Sequence, residues 1–434
     1  RSFHVTGVQT CALPISWEKV LIELKGGNKS FKDIDPVHGL IGCINCHGGV
    51  EPSSDLEIAH STDHGFTRDP SSNPEESCNP CHNQLVESNK NSMHTMAWGE
   101  KTTIAQRELG EGNDHTTFDE CPESLTSGFD GECTSCHTTC GQCHISRPNS
   151  AHGGLIDNHK FNRIPDQTNN CMACHGSRIG TDFKGELTGN VADVHFLKRL
   201  KCFDCHVEDF HADASQYESR YHLLKDEEQV QCDFCHGDVA EANEYHQQHW
   251  PESGEGLSCF VCHSQPYNNC NTCHSGGEWK EGYGEVAGET DVKSGGNGYL
   301  EYPDFKIGIN NDYELRNGKW AVLRHIPVAP DSYEKWGHPE LANFDARPTW
   351  EVTTPHNIKL WTSQTDTTNS DYCSDNCHNH GVRYDSEGNY SNYTSLDTNS
   401  IYLLLDDLIE NEINANQPVL GQFSKVGCNP CHPG

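Results

Sequence analysis

Apolar positions along this chain are sparse, and few of them fall into a regular period. From Trp17 to about Asp130 the background is Ser, Asn, Asp and Gly, which reads as loop-rich, with one helical segment around Ser92–Met96. The Gly- and Glu-rich stretch from Gly276 to Gly298 predicts a loop. After it, Tyr313 to Arg316, the dipeptide Asn317-Gly318 and Lys319 to Leu323 predict a β-hairpin over 313–323. Prolines and aromatics then crowd the chain, including Pro327, Pro330, Trp336, Pro348, Trp350, Pro355 and Trp361. Near the C-terminal end Ser400 is placed to cap a helix whose Ile401, Leu404, Leu405, Leu408, Ile409 and Ile413 share one face. No run approaches the roughly 18 apolar residues that span a bilayer.

Composition sharpens this picture. Hydrophobic residues make up 33% of 434 residues, too few for side chains alone to build the core of a chain this long. The 30 basic residues face 64 acidic ones, a formal charge of −34, which argues against a nucleic-acid partner and for a partner with a positive patch. The chain also carries 24 Cys and 28 His.

Those residues are not scattered. Cys-x-x-Cys-His occurs at Cys43/Cys46/His47, Cys78/Cys81/His82, Cys133/Cys136/His137, Cys140/Cys143/His144 and Cys171/Cys174/His175. It recurs at Cys202/Cys205/His206, Cys232/Cys235/His236, Cys259/Cys262/His263, Cys270/Cys273/His274 and Cys428/Cys431/His432. Cys373/Cys377/His378 is a version with one extra residue. Chance placement would give on the order of 0.1 such pentapeptides. Structural zinc, a redox dithiol or disulfides do not require His after the second Cys every time. The spacing is that of covalent haem c attachment: two thiols on one turn reach the two vinyl groups of a porphyrin, and the next imidazole becomes the proximal iron ligand. The expected cofactor is haem c, about 11 per chain, ten at standard motifs and one at the stretched motif. Motifs starting at 140, 171, 202, 232 and 259 recur at close to thirty residues, while the tandem pairs Cys133/Cys140 and Cys259/Cys270 force porphyrins together.

Sixteen further histidines are candidates for the sixth iron position: His38, His60, His64, His94, His115, His152, His159, His195, His211, His222, His246, His249, His325, His338, His356 and His380. His94, on the predicted helix after the Cys78 motif, is a leading choice. Methionine offers only Met93, Met96 and Met172, so the irons are expected to be mostly bis-histidine and low in potential.

Taken together, the motifs from Cys43 to His432 resemble those of multihaem c-type cytochromes, a group that includes decahaem electron conduits, cytochrome filaments and octahaem enzymes similar to tetrathionate reductase and hydroxylamine oxidoreductase. The resemblance implies a multihaem cytochrome c fold, mostly irregular loops and short α-helices wrapped around a haem core, with little β beyond the hairpin. It implies electron transfer to redox partner proteins or an extracellular acceptor rather than catalysis, with a nitrogen- or sulfur-compound oxidoreductase and a homo-oligomeric filament subunit as alternatives. Segments 17–130, 131–275, 276–372 and 373–434 are expected as a two-haem region, a seven-haem core, a haem-free cover and a second two-haem region. Residues 1–16 are set aside, because Val5–Ile15 resembles the translation of a sequencing-library adapter. Covalent haem attachment occurs outside the cytoplasmic membrane, so a periplasmic or extracellular location is expected.

Overall fold

The structure is a computed structural model that describes residues 30–50, 55–136, 139–148, 151–187, 189–206, 210–215, 231–239, 244–249, 256–270, 301–309, 320–326, 328–347, 349–365 and 402–403. The chain forms two compact units, one from residues 1–96, 134–174 and 209–216, the other from residues 97–133, 175–208 and 217–434. Neither is contiguous in sequence, so blocks such as 17–130 do not coincide with them.

The first unit is a set of short helices joined by tight turns. Ser30 opens Phe31–Ile34 with a reciprocal cap to Asp33, and Thr139 opens Cys140–His144 in the same way with Gln142. The longest helix, Asn79–Asn89, loses helical geometry at His82. Among the described residues of this unit, the buried apolar side chains are Val86, Pro148 and Ala214. Backbone and polar side-chain hydrogen bonds hold it instead: Asn91 binds Asp213 at 3.1 Å, and the Ala214 amide donates to the Asn91 carbonyl at 2.8 Å. A unit so short of apolar burial cannot offset the entropy of ordering its backbone by side-chain packing.

The second unit has two side-chain cores. In one, helices α1 (Trp98–Leu109) and α2 (Glu123–Glu132) enclose Ile104, Ala105, Leu125 and Phe129 together with Val328, Leu341 and Phe344. Trp336 lies flat on Gly128, where any Cβ would come within 2.2 Å of its ring. The buried Arg107 donates to the Phe344 carbonyl at 2.7 Å. Part of the proline- and aromatic-rich segment is thus a clamp on two helices that carry no Cys-x-x-Cys-His.

The other core is a sheet. β1 (Tyr267–Cys270) pairs antiparallel with β2 (Glu301–Asp304). β3 (Lys306–Ile309), β4 (Trp320–His325), β5 (Trp350–Val352) and β6 (Tyr402–Leu403) form a second sheet in the order β5-β4-β3-β6. β4 is buried at every position, as a central strand covered on both faces must be. Of the hairpin expected over 313–323, residues 320–323 fall in β4, which pairs with β3; 310–319, including Tyr313–Arg316 and Asn317-Gly318, lies outside the described residues. The extra strands escape the sequence because their partners are remote: β5 pairs with β4 across about 25 positions and β6 with β3 across almost a hundred. Tyr402 and Leu403 are strand where the apolar period predicts the start of a helix; the pairing edge of β3 overrides that period. The rest of that predicted helix lies outside the described residues.

An ion pair ties this sheet to the helix Thr181–Lys184. Asp182, fully buried, accepts from Arg324 Nη2 at 2.7 Å and from the Asn268 amide at 3.0 Å. Burial pushes the Asp182 carboxyl up to about 6, against the pull of the Arg324 charge, and burial lowers Arg324 in turn. Truncating one partner strands the other charge in the interior. Asp182→Ala is expected to destabilise the second unit by about 3–5 kcal/mol, measured as a shift of its denaturant midpoint. A wild-type midpoint would show the pair to be dispensable.

Candidate functional site

Each described Cys-x-x-Cys-His run is built as one helical turn. The amides of His47, His82 and His206 donate to the carbonyls of Cys43, Cys78 and Cys202, at 2.7, 2.9 and 2.8 Å. That turn stacks the first Cys, the second Cys and the His along one face, which the pattern i, i+3, i+4 requires. In the second unit the turn Cys259–His263 is docked by Val261, which packs with Tyr267, Ile307 and Val322.

The second cysteines of the motifs are placed by that turn. Cys81, Cys205 and Cys235 are exposed, while Cys46, Cys143, Cys174 and Cys262 are half-buried. The Cys262 carbonyl accepts from Thr362 Oγ1 at 2.5 Å, a tie to a distant segment. None of the described motif cysteines is joined in a disulfide. The fold thus adds no independent mark to Cys81, Cys143, Cys235 and Cys262 as cofactor-binding residues: their thiols sit where the motif spacing puts them, and their part in holding a porphyrin rests on that spacing.

Six of the motif histidines face a histidine from elsewhere in their own unit. In the first unit, ring centroids are 6.3 Å apart for His82 and His38, 6.3 Å for His47 and His159, and 5.9 Å for His144 and His211. In the second they are 6.3 Å for His236 and His195, 6.3 Å for His206 and His356, and 6.2 Å for His263 and His246. Two imidazoles on opposite sides of one metal ion, each nitrogen about 2 Å from it, have centroids about 6.3 Å apart. Among the described residues there is no group of three or more His, Cys, Asp or Glu able to hold a metal ion. Isolated pairs suit a metal whose other four ligands come from a macrocycle.

The rings are aimed by their other nitrogen. Nδ1 of His47 donates to the Thr67 carbonyl at 2.9 Å, of His144 to Asn162 at 2.7 Å, of His246 to Val239 at 2.8 Å and of His356 to Thr354 at 2.9 Å. His263 Nδ1 reaches the Lys359 carbonyl at 3.3 Å. His38 and His195 use carboxylates, Asp35 at 3.1 Å and Asp193 at 2.9 Å. Every pair has at least one ring fixed this way, and an Nδ1–H donor leaves Nε2 unprotonated, the form that ligates a metal. Burial holds His144 and His263 below the ordinary imidazole value and His356 down to about 4; the hydrogen bond that His195 donates to Asp193 raises His195.

The remaining sequence candidates are placed differently. His94 lies on the helix Met93–Met96 with its ring 5.6 Å from Phe210, and His60 meets Phe66 edge-on at 4.9 Å. His64 closes a short turn, and His152 takes a positive φ of 68°. His115 is buried against Trp98 with neither ring nitrogen hydrogen-bonded, and burial lowers its pKa. His325 is fully buried on β4, while His338 engages Ser124 at 3.2 Å and Glu108 at 3.0 Å. His249 ends the helix Glu244–His249. Cys133 and Cys136 lie on a short 3-10 turn, Cys171 and Cys174 lead into the helix ending at His175, and Cys270 ends β1. His137, His222, Cys273, His274, Cys373, Cys377, His378, His380, Cys428, Cys431 and His432 lie outside the described residues.

Exposed apolar side chains follow the pairs. Val37, Leu40, Leu85, Phe161, Leu197, Phe234 and Trp361 are all exposed, and each lies within five residues of a paired histidine. Apolar surface concentrated in this way marks a face built to be covered. The residues present thus fit haem: paired thiols on a turn, an imidazole on each side, and apolar side chains around them.

Sequence reasoning missed the groups that orient the rings. Asp193 is the clearest: buried, it binds the His195 ring and also accepts from the Ile358 amide at 2.6 Å, so one carboxylate fixes the segments carrying His195 and His356. The local signal was Asp two or three residues before the His, as in Asp193-Val-His195 and Asp35-Pro-Val-His38. No known family model, curated protein or solved structure matches this chain. Asp193→Ala leaves a buried amide without an acceptor, an expected loss of about 1–3 kcal/mol seen as a lowered thermal midpoint; an unchanged midpoint counts against the carboxylate as an anchor.

Proposed function

We propose that this chain is an exported multihaem c-type cytochrome that passes electrons singly along closely packed, mostly bis-histidine haems. The observation that carries the reading is the set of six motif histidines each facing a second histidine at the separation one iron requires. The thiols of each motif would hold the porphyrin by thioether bonds, the motif His would be one iron ligand, and His38, His159, His211, His195, His356 and His246 would supply the other. Haem supplies the one-electron chemistry. The protein positions it, excludes water from it and sets its potential through imidazole ligands whose Nδ1 hydrogen bonds raise their basicity.

Two features favour a relay over catalysis at these irons. With an imidazole on both sides, an iron has no position for a substrate. Burial keeps His144, His263 and His356 neutral, so they stay bound near neutral pH. The formal charge of −34 suits a partner that presents a basic patch around an exposed haem edge. Among the described residues no helix is long and apolar enough to cross a membrane. A periplasmic or extracellular site of action, and either a redox partner protein or an extracellular acceptor, follow from covalent haem attachment.

The test is a haem-to-protein ratio with a low-temperature electron paramagnetic resonance spectrum of the oxidised protein. A ratio near eleven with only low-spin iron is expected. A high-spin signal that shifts with nitrite, hydroxylamine or a sulfur oxyanion would transfer the reading to the oxidoreductase. Removing a distal ligand, as in His211→Ala or His356→Ala, is expected to convert one haem per molecule to high spin. His338→Ala, whose imidazole is held by Ser124 and Glu108, should leave the haem spectrum unchanged.

A further inference from the structure

In the first unit the thiols of Cys78 and Cys140 share a hydrogen bond, and in the second those of Cys232 and Cys259 do the same. All four are the first cysteine of their motif. The approach of the first two is built into the backbone. Ser71 Oγ lies 2.7 Å from Thr139 Oγ1, the cap of the turn that begins at Cys140. Ser77, immediately before Cys78, binds the Pro70 carbonyl at 2.5 Å and the Cys78 sulfur at 3.4 Å. Gly141, inside the Cys140 turn, lies against Ser71, where a Cβ would come within 2.4 Å of Ser71 Oγ. The small residue lets the Cys140 turn pack on the Pro70–Ser72 turn, which Ser77 ties to Cys78.

Resting on the cytochrome reading, we infer that the haems attached at Cys78 and Cys140 touch through the porphyrin edges that carry their first thioethers. Each sulfur would be two bonds from its macrocycle once attached, so sulfurs in contact bring the edges that carry them together. The Cys78 and Cys140 motifs are not neighbours in sequence, since the Cys133 motif lies between them. Electrons therefore cross between these two haems directly, one iron oxidised as the other is reduced, without following the order of motifs along the chain.

The haem-loaded full-length protein tests this, with covalent haem counted separately from unpaired spins. Contacting ferric haems couple magnetically, so the oxidised protein should show fewer non-interacting low-spin signals than haems. His38→Met and His211→Met each raise the potential of one haem of the pair. Poised so that only the altered haem is reduced and diamagnetic, each single variant should gain one uncoupled ferric signal per molecule. The double variant should gain none, because both members of the pair are then silent. The two single variants are reciprocal, so failure of one to load haem leaves the other to decide. A wild-type spin count equal to the haem count, with each substitution removing one spin and the double removing two, overturns the contact and leaves haem attachment standing. Protein without covalent haem overturns both.

Discussion

A chain that buries almost no apolar side chain must gain its folding free energy elsewhere, and this constraint governs the first unit. Val86, Pro148 and Ala214 are the apolar side chains buried among its described residues. At roughly 1.5–3 kcal/mol for each large apolar side chain buried, such a core cannot balance about 1–2 kcal/mol of backbone entropy per ordered residue. The hydrogen bonds that tie its turns together contribute little net stability, because water satisfied the same groups before folding. What remains is the apolar surface turned outward beside the histidine pairs. Covering it with large flat macrocycles supplies the missing burial, so on the proposed reading the cofactors that carry the electrons also hold the unit together.

The second unit solves the same problem differently, and the contrast is informative. Its helices α1 and α2 and the sheet around β4 bury conventional cores, yet its histidine pairs lie on the segments those cores support. Val261 anchors the turn that ends at His263 to the sheet, and the chain after β5 carries His356 to His206. The side-chain cores are scaffolding for the pairs. A ligand held by a packed sheet and a buried carboxylate has little freedom to reorganise when an iron changes charge, and low reorganisation is what rapid electron exchange needs.

Much of the candidate site was legible in the sequence, for a physical reason. Cys-x-x-Cys-His is a local constraint, complete within one helical turn, so the motif residues could be read without any fold. For second cysteines such as Cys81 and Cys235, exposed on their turns, that local reading is the whole of the argument. Each of the six histidines that face a motif histidine was among the spare histidines, but which faced which motif was not readable, because the partner is brought by tertiary structure. His211 arrives on a segment docked by Asn91 and Asp213, and His356 follows strands paired across long separations. The sheet was underestimated for the same cause: β4 was visible as an apolar run, while β5 and β6 are short and their pairing is long-range. His338 shows the converse limit, since nothing in its neighbourhood in sequence announced Ser124 and Glu108.

The division of labour between local motif and distant ligand also bears on how potentials are set. On the proposed reading all described motifs supply the same proximal group, so differences among irons would come from what surrounds the rings. His38 and His195 are bound by carboxylates, which make an imidazole a stronger donor and favour ferric iron; the rings of His246 and His356 are bound by neutral carbonyls, which do so less. On the proposed reading, His38 serves one of two touching haems, and the Asp35 carboxylate makes its ring the stronger donor. A buried acid two or three residues before a histidine, as at Asp35 and Asp193, would thus set the haem it serves apart from one whose ring binds a neutral carbonyl.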